Sequence, residues 1–303
     1  MEIGLGVDSR FALSDDDQRA LAGEAKALGY TSLWTPIGNT REPFDACATW
    51  TQSSGLPTGI AVAPLSSWPI EDLITASKET SDRCQGRFTL GIGAGRTSEA
   101  PIRVMRDAIG VLRGRLPGLA VYLGALGPQM LHLAGQRYDG AALNWCSGEQ
   151  VRWSRERVAA GARGARRDPA LVTIHEYVRV CVDDDEAAAR LAFAKMVMAY
   201  ALARPGTDKT KGYRAHFARM GFDDALTDLE SRRDRGATED ELAANFPDEL
   251  LRRVGYWGKP DGAREAFLRL AVGLDIAIVR LVPARRNDLA AARLAFRACA
   301  PEL

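Results

Sequence analysis

The strongest constraint on this chain is its alternation. Strand-like and helix-like segments follow one another from one end to the other. Glu2–Asp8, Thr31–Thr35, Thr58–Ala63, Arg87–Gly91, Ala120–Leu123, Gly140–Asn144, Val172–Val182 and Ile276–Val282 read as strands. Helical segments separate them: Ser14–Leu28, Pro43–Ser53, Pro69–Cys84, Glu99–Arg115, Pro128–Arg137, Glu149–Arg163 and Asp184–Ala203, with Asn287–Cys299 closing the chain. The first helix opens on Ser14 with Asp15–Asp17 in its first turn, and the fifth opens on Pro128. Both are favoured helix starts. Strands that alternate with helices pair in parallel. Units recurring every ~25–35 residues close into a (β/α)8 TIM barrel, whose usual size is about 250 residues. A doubly wound sheet is the rival fold, but the regularity of the units favours the barrel. The expected architecture is one α/β domain spanning residues 1–303.

One connection is too long for a simple crossover. Residues 184–273, between the seventh and eighth strands, carry the long helix Asp184–Ala203 and five further helical segments: Tyr213–Met220, Asp223–Arg235, Glu239–Asn245, Asp248–Val254 and Gly262–Val272. The polar stretch Arg204–Gly212 reads as a loop. Insertions that follow a barrel strand sit over the C-terminal mouth. A structural or oligomerisation element is the other reading of this segment.

The composition excludes several classes of partner. The net charge is +1, so nothing favours nucleic acid or an anionic membrane. No apolar run approaches the ~20 residues of a membrane span. The start, Met1-Glu2-Ile3-Gly4, enters a strand without a basic-then-apolar leader. The five cysteines are scattered and form no CxxC pair, and there are only three histidines. A reduced, cytoplasmic protein without a metal site is expected.

Several residues could carry chemistry. Gly93, Ala94, Gly95 and Arg96 form a glycine loop at the end of the fourth strand, with spacing G-x-G-x-G rather than GxGxxG. Such a loop lets a ligand approach the backbone; it also suits a tight strand–helix turn. Ala125, Leu126, Gly127, Pro128 and Gln129 end the fifth strand and open a helix whose free amides suit a phosphate oxygen. Arg179 and Arg280 fall inside the seventh and eighth strands. Strand alternation sends both into the lumen near the mouth, facing an anion or carboxylates such as Asp139 or Glu176. Asp8 shares a strand face with Gly4 and Gly6, which leave room for something flat. His175, low in its strand, reads as structural, as does His132 within its helix. His216 reads as an ordinary histidine of the insertion that could also reach the mouth. No Ser-His-Asp set and no HExxH motif is present.

Four stretches carry a family resemblance: Gly29–Trp34, Gly86–Gly95, Tyr122–Gly135 with Tyr138-Asp139-Gly140, and Asp275–Val282. Together they resemble the luciferase-like monooxygenase superfamily, in its deazaflavin-dependent branch related to methylene-tetrahydromethanopterin reductase. The resemblance implies a ring cofactor at the barrel mouth. Its phosphate would lie near Ala125–Gln129, its tail along Gly93–Arg96, and a bulge with a non-prolyl cis peptide would stand behind the ring at Val62, Ala63 and Pro64. The implied cofactor is the deazaflavin coenzyme F-420, with FMN as the alternative; a homodimer is implied as well. The family's acidic residue or Asp-His pair after the second strand is missing, since Thr35-Pro36-Ile37-Gly38-Asn39 stands there, and its R-H-P before the third helix is replaced by Ser67-Trp68-Pro69. Asp8, Asn39, Arg179 or a residue from the insertion is expected to take over the catalytic duties. The implied activity is hydride transfer between the reduced deazaflavin and a small imine, alkene or carbonyl. An FMN-dependent monooxygenase using dioxygen, or a catalytically silent binding protein on the same scaffold, are the alternatives.

Overall fold

In chain order the elements are β1 (Glu2–Gly6), α1 (Asp15–Ala27), β2 (Ser32–Thr35), α2 (Glu42–Ser54), β3 (Thr58–Pro64), α3 (Ile70–Arg83), β4 (Phe88–Gly93), α4 (Pro101–Arg115), β5 (Ala120–Gly124), α5 (Pro128–Arg137), β6 (Gly140–Asn144), α6 (Gly148–Gly164) and β7 (Thr173–Val182). They continue as α7 (Glu186–Ala201), α8 (Gly212–Phe217), α9 (Asp223–Asp234), α10 (Glu239–Ala244), α11 (Asp248–Val254), β8 (Gly255–Gly258), α12 (Ala263–Leu270), β9 (Ile276–Leu281) and α13 (Leu289–Ala298). The computed structural model describes residues 1–8, 11, 13–95, 100–285 and 289–301. All strands pair in parallel in the order β6-β5-β4-β3-β2-β1-β9-β7-β8, and β6 also pairs with β7. That last pairing closes a TIM barrel from every strand but β8. Ser14 caps α1 through its side chain, as its position suggested.

β8 went unrecognised in the sequence. It covers only Gly255–Gly258, too short for its alternation to register. It lies on the upper part of β7, pairing Arg179 with Gly255 through Val182 with Gly258. β6 pairs with the lower part of β7, from Thr173 to Tyr177. One edge of β7 therefore changes partner just above Tyr177. The range 184–273 is accordingly not all insertion: α12 packs its buried Ala263, Ala266 and Phe267 into the main core, as an ordinary barrel helix does.

The apolar interior has three parts. The largest lies between the strands and the outer helices. A second, small one fills the lumen with Trp34, Ala61, Tyr122, Tyr177 and Ile278. The third belongs to α7–α11, where Phe193, Phe217, Phe222, Phe246 and Leu251 pack together. It reaches the barrel through Trp145, Cys181 and Val282 at the strand ends. A buried ion cluster fixes this helical unit. Arg214 donates to Glu230 at 2.9 Å and to Asp223 at 2.8 Å, and Lys209 reaches Glu230 at 2.6 Å.

Candidate active site

The lumen is built in layers, as parallel register requires. At the floor, the Trp34 indole donates to the Ser32 hydroxyl at 2.8 Å. His175 stands edge-on to Trp34, centroids 4.6 Å apart, and beside Tyr122 at 4.9 Å. Burial pushes the His175 pKa down to about 3, so it stays neutral in this aromatic plug. The room expected beside Gly4 and Gly6 is already taken. A Cβ on Gly4 would stand 2.9 Å from the Trp34 ring, and one on Gly6 would stand 2.9 Å from the Tyr177 ring. The flat groups those glycines admit are the protein's own side chains.

Above Tyr177 the lumen turns polar on one side. Arg179 and Arg280 are register partners on β7 and β9, and each is buried. Arg280 is ion-paired with Asp8 at the end of β1. Arg179 donates to Asn144 Oδ1 at 2.6 Å and to the Tyr177 carbonyl at 3.3 Å, and its guanidinium stacks 3.8 Å from the Trp145 ring. Asn144 in turn donates through Nδ2 to the Tyr213 hydroxyl at 2.6 Å. Tyr213 comes from α8, so the helical unit contributes to the mouth. The carboxylates considered as lumen partners lie elsewhere. Asp139 pairs with Arg113 at 2.6 Å. Glu176 faces out of the lumen and accepts from the Cys146 amide at 2.6 Å. Burial raises its pKa to about 8. His216 is buried, with Nε2 2.9 Å from the Trp145 carbonyl oxygen, and burial lowers its pKa to about 4. His132 is exposed on α5.

The opposite side of the mouth, among the described residues, is built around glycines. β3 bulges between Ile60 and Ala63, and its Ala61–Val62 peptide bond is cis. The bulge brings Val62 against the ends of β4 and β5. A Cβ on Gly93 would meet Val62 Cγ2 at 3.1 Å, and one on Gly124 would meet it at 3.2 Å. Gly95, at φ +74, packs where a Cβ would stand 2.0 Å from the Ser66 hydroxyl oxygen. Its neighbour Ala94 is half-buried. The loop after β5 runs from buried Ala125 through Leu126 to Gly127, with Pro128 and Gln129 exposed on the first turn of α5. Gly127 precedes that helix without a capping side chain, and a Cβ there would meet nothing within 4 Å. Arg219, on the turn after α8, donates to the Leu126 carbonyl at 3.0 Å. The uncapped helix start therefore lies next to a guanidinium. A cavity of about 440 Å³ lies to one side of the mouth, where Asp8 and Thr35 meet Gln18, Glu42, Asp45 and Trp50 of α1 and α2.

The structure thus brings Asp8, paired with Arg280, and Arg179, the register partner of Arg280, to one side of the mouth. It brings Val62, Ala63, Pro64, Gly93, Ala94 and Gly95 together on the facing wall, with Ala125–Gln129 at the adjoining helix start. Asn39 is exposed after β2, and among the described residues no hydrogen bond links it to Asp8 or the arginines. Arg96 lies outside the described residues. Asn144, Tyr213 and Arg219 escaped the sequence reading. The last two lie on the helical unit, and no local pattern shows which barrel loop such a segment covers.

Comparisons with known proteins agree with this architecture. Residues 99–274 match the family model described as luciferase-like monooxygenase. The chain is 26% identical over 297 residues to a 5,10-methylenetetrahydromethanopterin reductase of Methanolobus tindarius, covering 85% of this chain and 86% of that one. Among solved structures, a coenzyme F-420 dependent tetrahydromethanopterin reductase from Methanopyrus kandleri superposes with TM-score 0.75 at 15% identity, covering 97% of this chain and 96% of its own. An F-420-dependent secondary alcohol dehydrogenase in complex with an F-420–acetone adduct superposes with TM-score 0.68 at 14% identity, covering 99% and 96%.

Proposed function

The chain belongs to the luciferase-like monooxygenase family, and from that premise we propose that it is an oxidoreductase that transfers a hydride between a reduced deazaflavin coenzyme and a small organic substrate. The observation that carries this reading is the glycine wall at Gly93 and Gly124, backed by Val62. Val62 fills the space beside those glycines, so the wall presents a small apolar face at the barrel mouth, against which a tricyclic ring would lie. The relatives named as reductases and as F-420-dependent enzymes support the choice of deazaflavin over FMN.

The residues present fit such a group. The free amides at the start of α5 and the Arg219 guanidinium suit its phosphate. Gly127 has open space beside it, so no packing contact competes for that position. When bound, the coenzyme supplies the hydride; the protein binds, orients and encloses. Arg179 holds Asn144 by its oxygen, so the amide nitrogen faces Tyr213. The Tyr213 oxygen accepts that bond, and its own proton is left to point at a substrate oxygen or nitrogen in the mouth. Arg280 ion-pairs with Asp8 and fixes it at the end of β1. Asp8, Arg179 and Tyr213 are the groups this reading places at the chemistry. It also takes the protein to be a cytoplasmic homodimer, which sedimentation would test. Among the described residues, no helix is long and apolar enough to cross a membrane.

Fluorescence titration of the cofactor-free protein tests the reading. Deazaflavin should bind tightly and FMN weakly. The reverse preference would make the protein a flavin monooxygenase, to be assayed for oxygen uptake. Binding of neither would remove both enzymatic readings.

A further inference from the structure

We propose that Arg280, Arg179 and the Tyr177 hydroxyl form a carboxylate-binding subsite in the lumen, so that the substrate of the hydride transfer is an organic acid. The inference rests on the reading above for the word substrate, but not for the site itself. Two guanidiniums lie side by side on adjacent strands, 5% and 6% exposed. Guanidinium keeps its proton in proteins, so both charges persist. Among the described residues, Asp8 is the only carboxylate paired with either of them. The hydrogen-bond acceptors of Arg179 are neutral, an amide oxygen and a carbonyl. Glu176 points away, bonded to the Cys146 amide, and its raised pKa leaves it mostly protonated near neutrality. The layer therefore carries more positive than negative charge, at a cost that burial makes large unless an anion shares it.

The donors agree with the charge count. Arg280 Nη1 and the Tyr177 hydroxyl are buried and have no hydrogen-bond partner among the described residues. Arg280 lies over the Tyr177 ring, 5.2 Å from its centre, so the two unused donors belong to side chains in contact. Burial raises the Tyr177 pKa, so the phenol stays a donor. Orphaned donors of this kind are uncommon in a folded interior and call for an acceptor. A carboxylate presents two acceptor oxygens to such a pair. A phosphate finds its better site elsewhere, at the start of α5. Half-buried Asn144 and Tyr213 stand beside Arg179 at the mouth.

The same donors could meet the electron-rich edge of a reduced deazaflavin ring, so the test separates the two sources. Propanoate and its neutral isostere propanamide are titrated into the cofactor-free full-length protein at constant ionic strength, followed by calorimetry. Propanoate should bind about tenfold or more tightly than propanamide, as expected for a charge-assisted pair against a neutral one. Tyr177→Phe should weaken propanoate roughly three- to tenfold while leaving the melting temperature unchanged, because the hydroxyl it removes bonds nothing in the protein. The double variant Asp8→Asn/Arg280→Met should abolish the preference. Equal binding of acid and amide would overturn the proposal, as would a Tyr177→Phe variant that binds propanoate normally. Competition between propanoate and the deazaflavin would also overturn it, by assigning the donors to the ring. Failure of the coenzyme to bind would sink the hydride reading but leave the propanoate result standing.

Discussion

The mouth end of the barrel has two contrasting halves. On β3, β4 and β5 it is Val62, Gly93 and Gly124; on β6, β7, β9 and β1 it is Asn144, Arg179, Arg280 and Asp8. One half is built by leaving atoms out, the other by burying charge. The empty half offers a shape to anything flat. The charged half offers donors, and holds them through contacts that cross the sheet. Binding and discrimination are therefore separable here, and variants can attack one half while sparing the other.

The largest effect should come from the charged half. Arg280→Met would leave Asp8 buried without its ion partner and should cost about 3–5 kcal/mol of stability. Asp8→Asn/Arg280→Met should restore most of that loss, since removing both charges of a buried pair is often close to neutral. Chemical denaturation of the single and double variants measures the coupling. A coupling near zero would mean that the pair does not organise this half.

The glycine half should respond in binding more than in folding. Gly124→Val places a side chain where a Cβ already meets Val62 at 3.2 Å. Overpacking of this kind costs roughly 1–3 kcal/mol. Deazaflavin affinity should fall by about tenfold or more, or roughly 1.4 kcal/mol. Adding Val62→Ala should recover stability. Unchanged deazaflavin affinity in Gly124→Val would break the comparison, because the ring would then not rest on this wall.

A smaller effect tests why the charged half lacks a second carboxylate. Burial raises the Glu176 pKa from 4.5 to about 8. Between those values the native state holds a proton that the unfolded chain has lost. The stability this gives is fully present below pH 4.5 and is lost as the pH rises through 8. Relative to Glu176→Gln, the wild type should lose on the order of 2 kcal/mol between pH 5 and pH 6.5. His175 and His216 act in the opposite sense, losing stability as the pH falls below their ordinary 6.5. Both proteins share that loss, so it cancels in the difference. A flat difference would mean that Glu176 is ionised throughout and balances Arg179.

The two halves were not equally legible in the sequence. Glycines inside strands stand out, and the segments around Gly93 and Gly124 carried the family resemblance. Not all of those glycines serve a ligand. Gly135 lies in the same motif, yet a Cβ on it would stand 2.0 Å from the Val158 carbonyl oxygen, so it lets α5 and α6 pack closely. The two arginines were visible as misfits in apolar strands, and alternation correctly sent them inward. Their partners were not visible. Asp8 and Arg280 are 272 positions apart, and only barrel closure brings β1 beside β9. Tyr213 and Arg219 depend on how α8 folds back over the mouth, which no local periodicity encodes.

The smallest effect concerns the loop after β2, where the family's acidic group is missing. Asn39 was the candidate replacement nearest in sequence to that position. It is exposed, whereas Asp8 and Arg179 are buried at the layer where a substrate would react. An exposed side chain without a structural partner should change stability by less than about 0.5 kcal/mol when truncated. Asn39→Ala should also keep its turnover within about twofold, because a rim amide without a fixed partner contributes little general acid–base assistance, which is worth ~10²–10⁴-fold where it operates. Arg179→Lys, by contrast, should lower turnover at least tenfold, since lysine cannot both stack on Trp145 and hold Asn144. Steady-state kinetics on the two variants sets them side by side. A tenfold loss in Asn39→Ala alone would move proton handling back to the β2 loop and make the charged half a binding surface only.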